Sequence, residues 1–375
     1  MASHSCTPLT GSTSSEGRVS GYVLKLLRES LPRTQQDLAE DLGVQVVTVQ
    51  GWESGRRPIM KMSARDLIAL QQRLRRLGAA PALLDALGLA VEADLFIGHA
   101  LGAAPEKGDP AQHLLGSWVI TRPFTGLIGW PLGGQVPAEL AGLTSATGSR
   151  RGPVPNRPAL GTDERAHLVA HLQAMAERAD RCTDTGLLLI RQAYYLLSFD
   201  PAPATTDWLT DMYRADRRLV RPGRGWSPGW PLARSTASAL TRLGDPEPMH
   251  AFVAEQLDDA GERANLNYWA FWTGDLGQQH TGDAFMGTTD LSTWHGDRLL
   301  RHLMGRLRAD RSFLELNIRT LHTLVRIHPD LLTTPAVRTE LSATIGRLLD
   351  ENPIAGRTRS ELEALRYAIA LAARH

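Results

Sequence analysis

The chain has few cysteines, few lysines and no long apolar run. Its 375 residues include only two cysteines, Cys6 and Cys182, so no disulfide framework is expected. No apolar segment reaches the roughly 20 residues of a membrane-spanning helix, and the first residues lack a secretory apolar core. These absences argue against a disulfide-rich secreted protein or a membrane protein and predict a cytoplasmic location.

The chain also lacks an excess of charge and several catalytic fingerprints. Lysine and arginine together number 41, against 40 aspartates and glutamates. The HExxH, Walker A and Rossmann patterns are missing, so we expect no enzyme, no cofactor and no bound metal. Lysine occurs only at positions 25, 61 and 107, whereas arginine, alanine and leucine abound, a bias typical of a GC-rich bacterial genome.

The most informative segment is residues 34–58, TQQDLAEDLGVQVVTVQGWESGRRP. Thr34 predicts a helix N-cap, with Asp37 three residues later as a shortened capping box. Gly43 supplies the positive φ that ends a helix. A second helix is predicted over about 45–53, with Val44, Val49 and Trp52 turned inward and a basic loop after it. The segment therefore predicts two short helices joined by a tight turn.

Over residues 20–78 the chain resembles the Cro or XRE type of phage-repressor-like helix-turn-helix regulators. Flanking helices complete the small bundle through Tyr22, Val23, Leu26 and Leu27 before the motif and Ser63, Leu67, Leu70, Leu74 and Leu77 after it. The resemblance implies that the helix near Gln45 enters the major groove of double-stranded DNA and that Gln35 holds a phosphate. The DNA-binding residues expected on this basis are Thr34, Gln35, Gln36, Gln45, Val46, Val47, Thr48, Gln50, Gly51, Arg56, Arg57 and Lys61.

The proposed reading helix departs from the family pattern at Val46, Val47 and Gly51, where polar base readers are usual. Valine cannot donate a hydrogen bond to a base, but it can pack against a thymine methyl group. Direct readout then falls to Gln45, Thr48 and Gln50, helped by an arginine and by DNA shape. Two alternatives are that the domain needs a dimer to bind, or that it has become a protein-contact module.

Local charge agrees with a nucleic-acid partner. Residues 20–78 contain ten basic and six acidic side chains, an excess of four positive charges in a nearly neutral chain. The arginines of LQQRLRRL at 70–77 are equally well explained as a solvated helix face.

The rest of the chain predicts an all-α protein. We expect a disordered tail over 1–18, the helix-turn-helix domain over 19–93, an irregular connector over 94–161 and an α-helical domain over 162–375. Prolines and glycines separate the helices of the last region, which predicts an antiparallel α-helical array, with a superhelix as one form of it. We expect this domain to serve homodimerisation or sensing of a small-molecule effector.

Two clusters in the helical domain invite a functional interpretation. Aromatic and amide side chains predict a pocket for an organic effector, although adjacent aromatic residues also pack in cores; they are Trp226, Trp230, Asn265, Tyr268, Trp269 and Trp272. A second cluster suits metal-assisted hydrolysis but matches no closed ligand spacing; it comprises His280, Asp283, His295, Asp297 and His302.

A DNA-binding regulator is thus the leading hypothesis. The alternatives are a helical interaction scaffold and, with less support, a DNA-targeted hydrolase.

Overall fold

The structure, a computed structural model, describes residues 16–105, 107–144, 157–216, 226–309, 312–350, 354 and 356–374. Within these residues the secondary structure is helical and no strand occurs, which confirms the all-α prediction. Most of the predicted tail, up to residue 15, and residues 145–156 of the predicted connector lie outside the described residues. The chain divides into an amino-terminal unit, residues 1–108 and 123–174, and a carboxy-terminal unit, residues 109–122 and 175–375.

Six complete α-helices and most of two more belong to the described part of the amino-terminal unit. They are α1 (Arg18–Ser30), α2 (Gln35–Leu42), α3 (Val46–Glu53), α4 (Ala64–Arg76), α5 (Pro81–Gly102), α6 (Arg122–Gly133), α7 (Ala141–Thr144) and α8 (Thr162–Arg178).

Helix α1 lies at the centre of this unit and packs against α3 and α5. Its apolar side chains are almost fully buried, as the sequence predicts for Tyr22, Val23, Leu26 and Leu27. No side chain of its own N-cap, a glycine, satisfies the first backbone N–H groups. Instead the carboxylate of Asp94, on α5, accepts from the backbone N–H groups of Val19 at 3.0 Å and Ser20 at 2.8 Å. This cap joins α1 to a helix about 75 residues away.

Because Asp94 is buried, its contribution to folding stability depends on pH. Desolvation raises the pKa of Asp94 to about 6, even though the hydrogen bonds from Ser20 and Val19 lower it. The pKa of an aspartate in an unfolded chain is about 3.9. Between these values the folded state holds a proton that the unfolded state has lost, so the contribution of Asp94 to stability falls as the pH rises from about 4 through about 6.

We therefore expect the free-energy difference between wild type and Asp94→Asn to depend on pH. The stability of wild type relative to the variant should fall by on the order of 3 kcal/mol between pH 4 and pH 7, since asparagine does not titrate. Hydrogen exchange of the α1 amides, corrected for intrinsic rates, measures the difference. A difference that stays constant from pH 4 to pH 7 would contradict this account of the cap.

The structure differs from the predicted irregular connector over 94–161. Helix α5 continues to Gly102, and α6 occupies residues 122–133 with Pro131 in its last turn. Trp130 of α6 is buried and meets the Tyr22 ring edge-on, with ring centroids 5.2 Å apart. Helix α6 is buried on most of its surface, so its sequence lacks the polar face by which an amphipathic helix is recognised.

The carboxy-terminal unit continues as an array of helices. They are α9 (Asp184–Leu197), α10 (Pro203–Asp216), α11 (Trp230–Arg242), α12 (Glu247–Gln256), α13 (Asp259–Thr273), α14 (Phe285–Thr288), α15 (Asp297–Ala309), α16 (Leu314–Ile327), α17 (Pro335–Asp350) and α18 (Gly356–Ala372). Helix α13 packs against α14, α15 and α16, and its residues 264–271 are all buried. In the part of the chain that the structure describes, no helix has both the length and the apolar character needed to cross a bilayer.

Candidate nucleic-acid interface

The α2–α3 turn forms as the local sequence predicts. The Thr34 hydroxyl accepts from the backbone N–H of Asp37 at 3.1 Å, and the Asp37 carboxylate accepts from the backbone N–H of Thr34 at 2.9 Å. Gly43 has φ 67°, and the N–H of Val44 donates to the carbonyl of Ala39 at 2.9 Å. Both ends of α2 are therefore fixed by interactions within the segment itself.

A second glycine sets how closely α1 approaches α3. A Cβ atom at Gly21 would lie 2.3 Å from the carbonyl oxygen of Trp52, so this contact accommodates no side chain. Leu38 and Ala39 are buried in this bundle, and so is Val49, as predicted. Trp52 was expected inside as well, but it is only half-buried.

The carboxyl end of α3 is held by a buried ionic network. Glu53, with a fully buried side chain, accepts from Arg28 of α1 through both oxygens, at 2.6 Å from Nε and 3.2 Å from Nη2. Gln35 of α2 donates through Nε2 to the same carboxylate at 2.7 Å. This network ties three helices together, and it engages the Gln35 amide that the resemblance assigns to a phosphate.

The opposite face of α3 is open to solvent. Gln45, the N-cap, is exposed, and 54% of the Val47 side chain is exposed. Val46, Thr48 and Gln50 are half-buried. The face therefore offers two amide side chains and a hydroxyl beside an apolar valine surface.

Two exposed arginines flank this face. Arg57 donates through Nη1 to the Thr48 hydroxyl at 3.0 Å, and its Cβ and Cγ lie 3.2 Å from the point where a Cβ of Gly51 would be. Gly51 is thus buried beneath the Arg57 side chain. Arg57 occupies the space that a side chain at position 51 would fill. Arg56 donates through Nε to the Ser54 hydroxyl at 3.1 Å. Positive charge is therefore held next to the exposed face of α3.

The other predicted DNA-binding residues differ in their exposure and in their partners within the protein. Lys61 forms an ion pair with Glu16, so its charge is partly compensated. Gln36 is exposed and donates to Glu40 at 2.8 Å, and Thr34 is exposed at the start of α2. The structure thus brings Thr48, Gly51 and Arg57 into contact, whereas Gln35 and Lys61 have partners within the protein.

The predicted effector residues lie together in the core of the carboxy-terminal unit. Trp230 is fully buried and donates through Nε1 to the carbonyl of Gln256 at 3.1 Å. Tyr268 and Trp272 stack with ring centroids 5.8 Å apart, and the half-buried Trp226 ring is 5.9 Å from that of Trp230. Their aromatic surfaces largely cover one another. Effector binding here stays a prediction.

A buried arginine that the sequence did not single out completes this cluster. The Arg234 guanidinium lies 3.9 Å from the ring centroid of Tyr268 and 5.1 Å from that of Trp269, and it donates to Asn265 at 3.1 Å. Asn265 in turn donates to Thr320 at 2.8 Å, so its amide is engaged in structural hydrogen bonds. Desolvation lowers the pKa of Arg234 to about 10.

The predicted histidine and aspartate cluster does not form a metal site. Asp283 accepts hydrogen bonds from the Nε and Nη2 nitrogens of Arg191, and His280 stacks on Phe285 with ring centroids 4.0 Å apart. His302 packs against Trp269, and desolvation lowers its pKa to about 3. His295 and Asp297 are exposed. Among the described residues, no three histidine, cysteine or acidic side chains are placed to hold a metal ion.

Residues 225–229, GWSPG, match the G-x-S-x-G pattern of hydrolases. That pattern marks a nucleophile at a sharp turn from a strand into a helix. Gly225 lies outside the described residues, and the described ones contain no strand. Ser227 lies in the turn before α11, where its carbonyl accepts from the N–H of Trp230 at 2.9 Å. The described part of the pattern, residues 226–229, is thus a turn before α11.

Comparison with known proteins agrees with the geometry of the amino-terminal unit. A family model described as helix-turn-helix matches residues 24–68, from the middle of α1 to the middle of α4. Searches of curated proteins and of solved structures returned no match. The amino-terminal unit thus carries a Cro-type helix-turn-helix domain, which supports a DNA-binding regulator in general.

Proposed function

We propose that this chain is a sequence-specific transcriptional regulator whose helix α3 lies in the major groove of double-stranded DNA. The observation that carries the proposal is the exposed face of α3, with Gln45 and Val47 open to solvent and Arg56 and Arg57 beside it. Helix pairs of this kind place the amino-terminal residues of the second helix against base edges.

The proposed contacts divide into base readout and positioning. Gln45, Thr48 and Gln50 carry donors and acceptors that match base edges, and Val47 offers a surface for a thymine methyl group. Arg56 and Arg57 supply phosphate contacts, which set affinity and register but carry no sequence information.

The carboxy-terminal unit is proposed to serve dimerisation or effector sensing. A two-fold pair of chains would place two α3 helices roughly 34–36 Å apart, about one turn of DNA. The operator would then be palindromic.

Selection from a random duplex library with the full chain tests this proposal. We expect enrichment of a palindrome containing thymine at the position facing Val47. Replacing that thymine by uracil removes one methyl contact and should weaken binding by about 0.8 kcal/mol, roughly fourfold. Val47→Ser should bind the thymine and uracil sites equally. This comparison isolates the valine contact from overall affinity.

The outcomes separate the competing functions. No enrichment over a random duplex at low salt would overturn the regulator. Capture of a protein partner that survives deletion of residues 1–90 would instead support the interaction scaffold.

A further inference from the structure

An open cleft lies between α3 and α4 in the amino-terminal unit. Its volume is about 440 Å³, within the range of sites that hold small organic ligands. Its apolar part is formed by Leu42, Val44, Trp52, Met62, Ala69 and Leu70. The cleft therefore has both the size and the lining of a small-molecule site.

The apolar lining is incompletely covered by protein. Val44 and Trp52 are each only half-buried, although the sequence pattern predicts both inside the core. Met62 is half-buried as well. An indole ring and a thioether that line the same cleft favour an aromatic or other apolar body packed against them.

The rim of the cleft is positively charged. Arg57 and Arg73 both line it, and neither forms an ion pair within the part of the chain that the structure describes. Arg73 Nη1 lies 3.6 Å from the point where a Cβ of Gly43 would be, over the α2–α3 turn. Asp66 also lines the cleft, and its carboxylate, which accepts from the Ser63 hydroxyl at 2.8 Å, carries one negative charge against the two arginines. The two guanidinium groups are thus available to an anion.

We infer that this cleft binds a small apolar carboxylic acid, with its body against Trp52 and Met62 and its carboxylate held by Arg57 and Arg73. Guanidinium groups bind carboxylates through charge-assisted hydrogen bonds, which gives the cleft its preference for an acid. Arg57 also flanks the exposed face of α3 and donates to Thr48. A bound acid would engage Arg57 and weaken DNA binding, a consequence that rests on the proposed function.

Titration calorimetry on the full chain without DNA tests the binding step. The probes are 1-naphthoate and its neutral counterpart 1-naphthamide, which differ in charge but hardly in shape. We expect naphthoate to bind at least tenfold more tightly than the amide, and Arg73→Gln to reduce this preference. Equal affinities for the two probes in wild type, or no binding of naphthoate at millimolar concentration, would overturn the inference.

A pair of variants on α4 locates the binding site. Ala69 is exposed and lines the cleft, so Ala69→Phe should fill it and weaken naphthoate binding at least tenfold. Gln72 is exposed on the same helix and does not line the cleft, so Gln72→Phe should bind like wild type. The circular dichroism melting curve of each variant verifies that it is folded. Undiminished binding to folded Ala69→Phe would place the probe elsewhere and overturn the inference.

The link to DNA is measured separately. Saturating naphthoate should weaken binding to the selected duplex by about fivefold or more, and the duplex should weaken naphthoate binding by the same factor. If the chain selects no DNA sequence, the proposed function fails, whereas the calorimetric result stands. If DNA is selected but the cleft variants bind naphthoate like wild type, only the inference about the cleft fails.

Discussion

Glu53→Ala is expected to destabilise the helix-turn-helix by about 3 kcal/mol, because it removes the buried carboxylate that pairs with the Arg28 guanidinium. Arg28 then keeps only the Arg33 carbonyl and the more distant Glu29 carboxylate as partners. The Glu53 side chain is fully buried and accepts from Arg28 and Gln35, so the change also frees the carboxyl end of α3 from α1 and α2. Hydrogen exchange of the α1–α3 amides measures the loss, and DNA binding should fall with it. A cost below about 1 kcal/mol would show that the network does not hold α3 in place.

The matched control removes both charges. Arg28→Met combined with Glu53→Leu replaces the ion pair by apolar side chains of similar volume, which is often neutral or stabilising. We expect the double variant to recover most of the stability lost in Glu53→Ala. Recovery should be incomplete, because Gln35 loses its acceptor. Arg28→Met and Glu53→Leu are also measured singly. If the loss of unfolding free energy in the double variant equals the sum of the two single losses, the charges are not directly coupled.

Removing both flanking arginines, Arg56→Ala with Arg57→Ala, should weaken DNA binding roughly a hundredfold. Each side chain is exposed, and we assign each one charge-assisted phosphate contact of about 1.4 kcal/mol. The slope of log affinity against log salt should become shallower by about 2. Fluorescence anisotropy with the selected duplex, across a range of salt concentrations, measures both quantities.

A second arginine pair provides a control of equal charge. Arg75 and Arg76 are exposed at the end of α4, outside the proposed interface. Arg75→Ala with Arg76→Ala lowers the net charge by the same amount. Any change in its DNA affinity therefore reports only the long-range electrostatic attraction. We expect this pair to change affinity less than threefold at 0.15 M salt, where charges more than about 8 Å apart are strongly screened. Equal losses in the two double variants would contradict a specific role for Arg56 and Arg57.

Features governed by nearby residues were predictable from the sequence. The cap at Thr34, the turn at Gly43 and the buried face of α2 depend on partners within a few positions along the chain. The helices after residue 162 were predictable because proline and glycine separate their apolar patterns. The same local rules failed for α6, whose burial on most sides leaves no contrast between two faces.

The sequence by itself determined that two capped helices and a glycine turn would form near the amino terminus, followed by a helical array. Only the tertiary structure decided which side chains of that motif remain available. Gln35 binds Glu53, 18 residues away; Arg28 binds Glu53, 25 residues away; and Asp94 caps a helix 75 residues before it. A buried polar group must find a partner when water is excluded, and that partner is chosen by packing rather than by distance along the chain. For the same reason, only the fold distinguished Trp52, beside an open cleft, from Trp230, enclosed in a core.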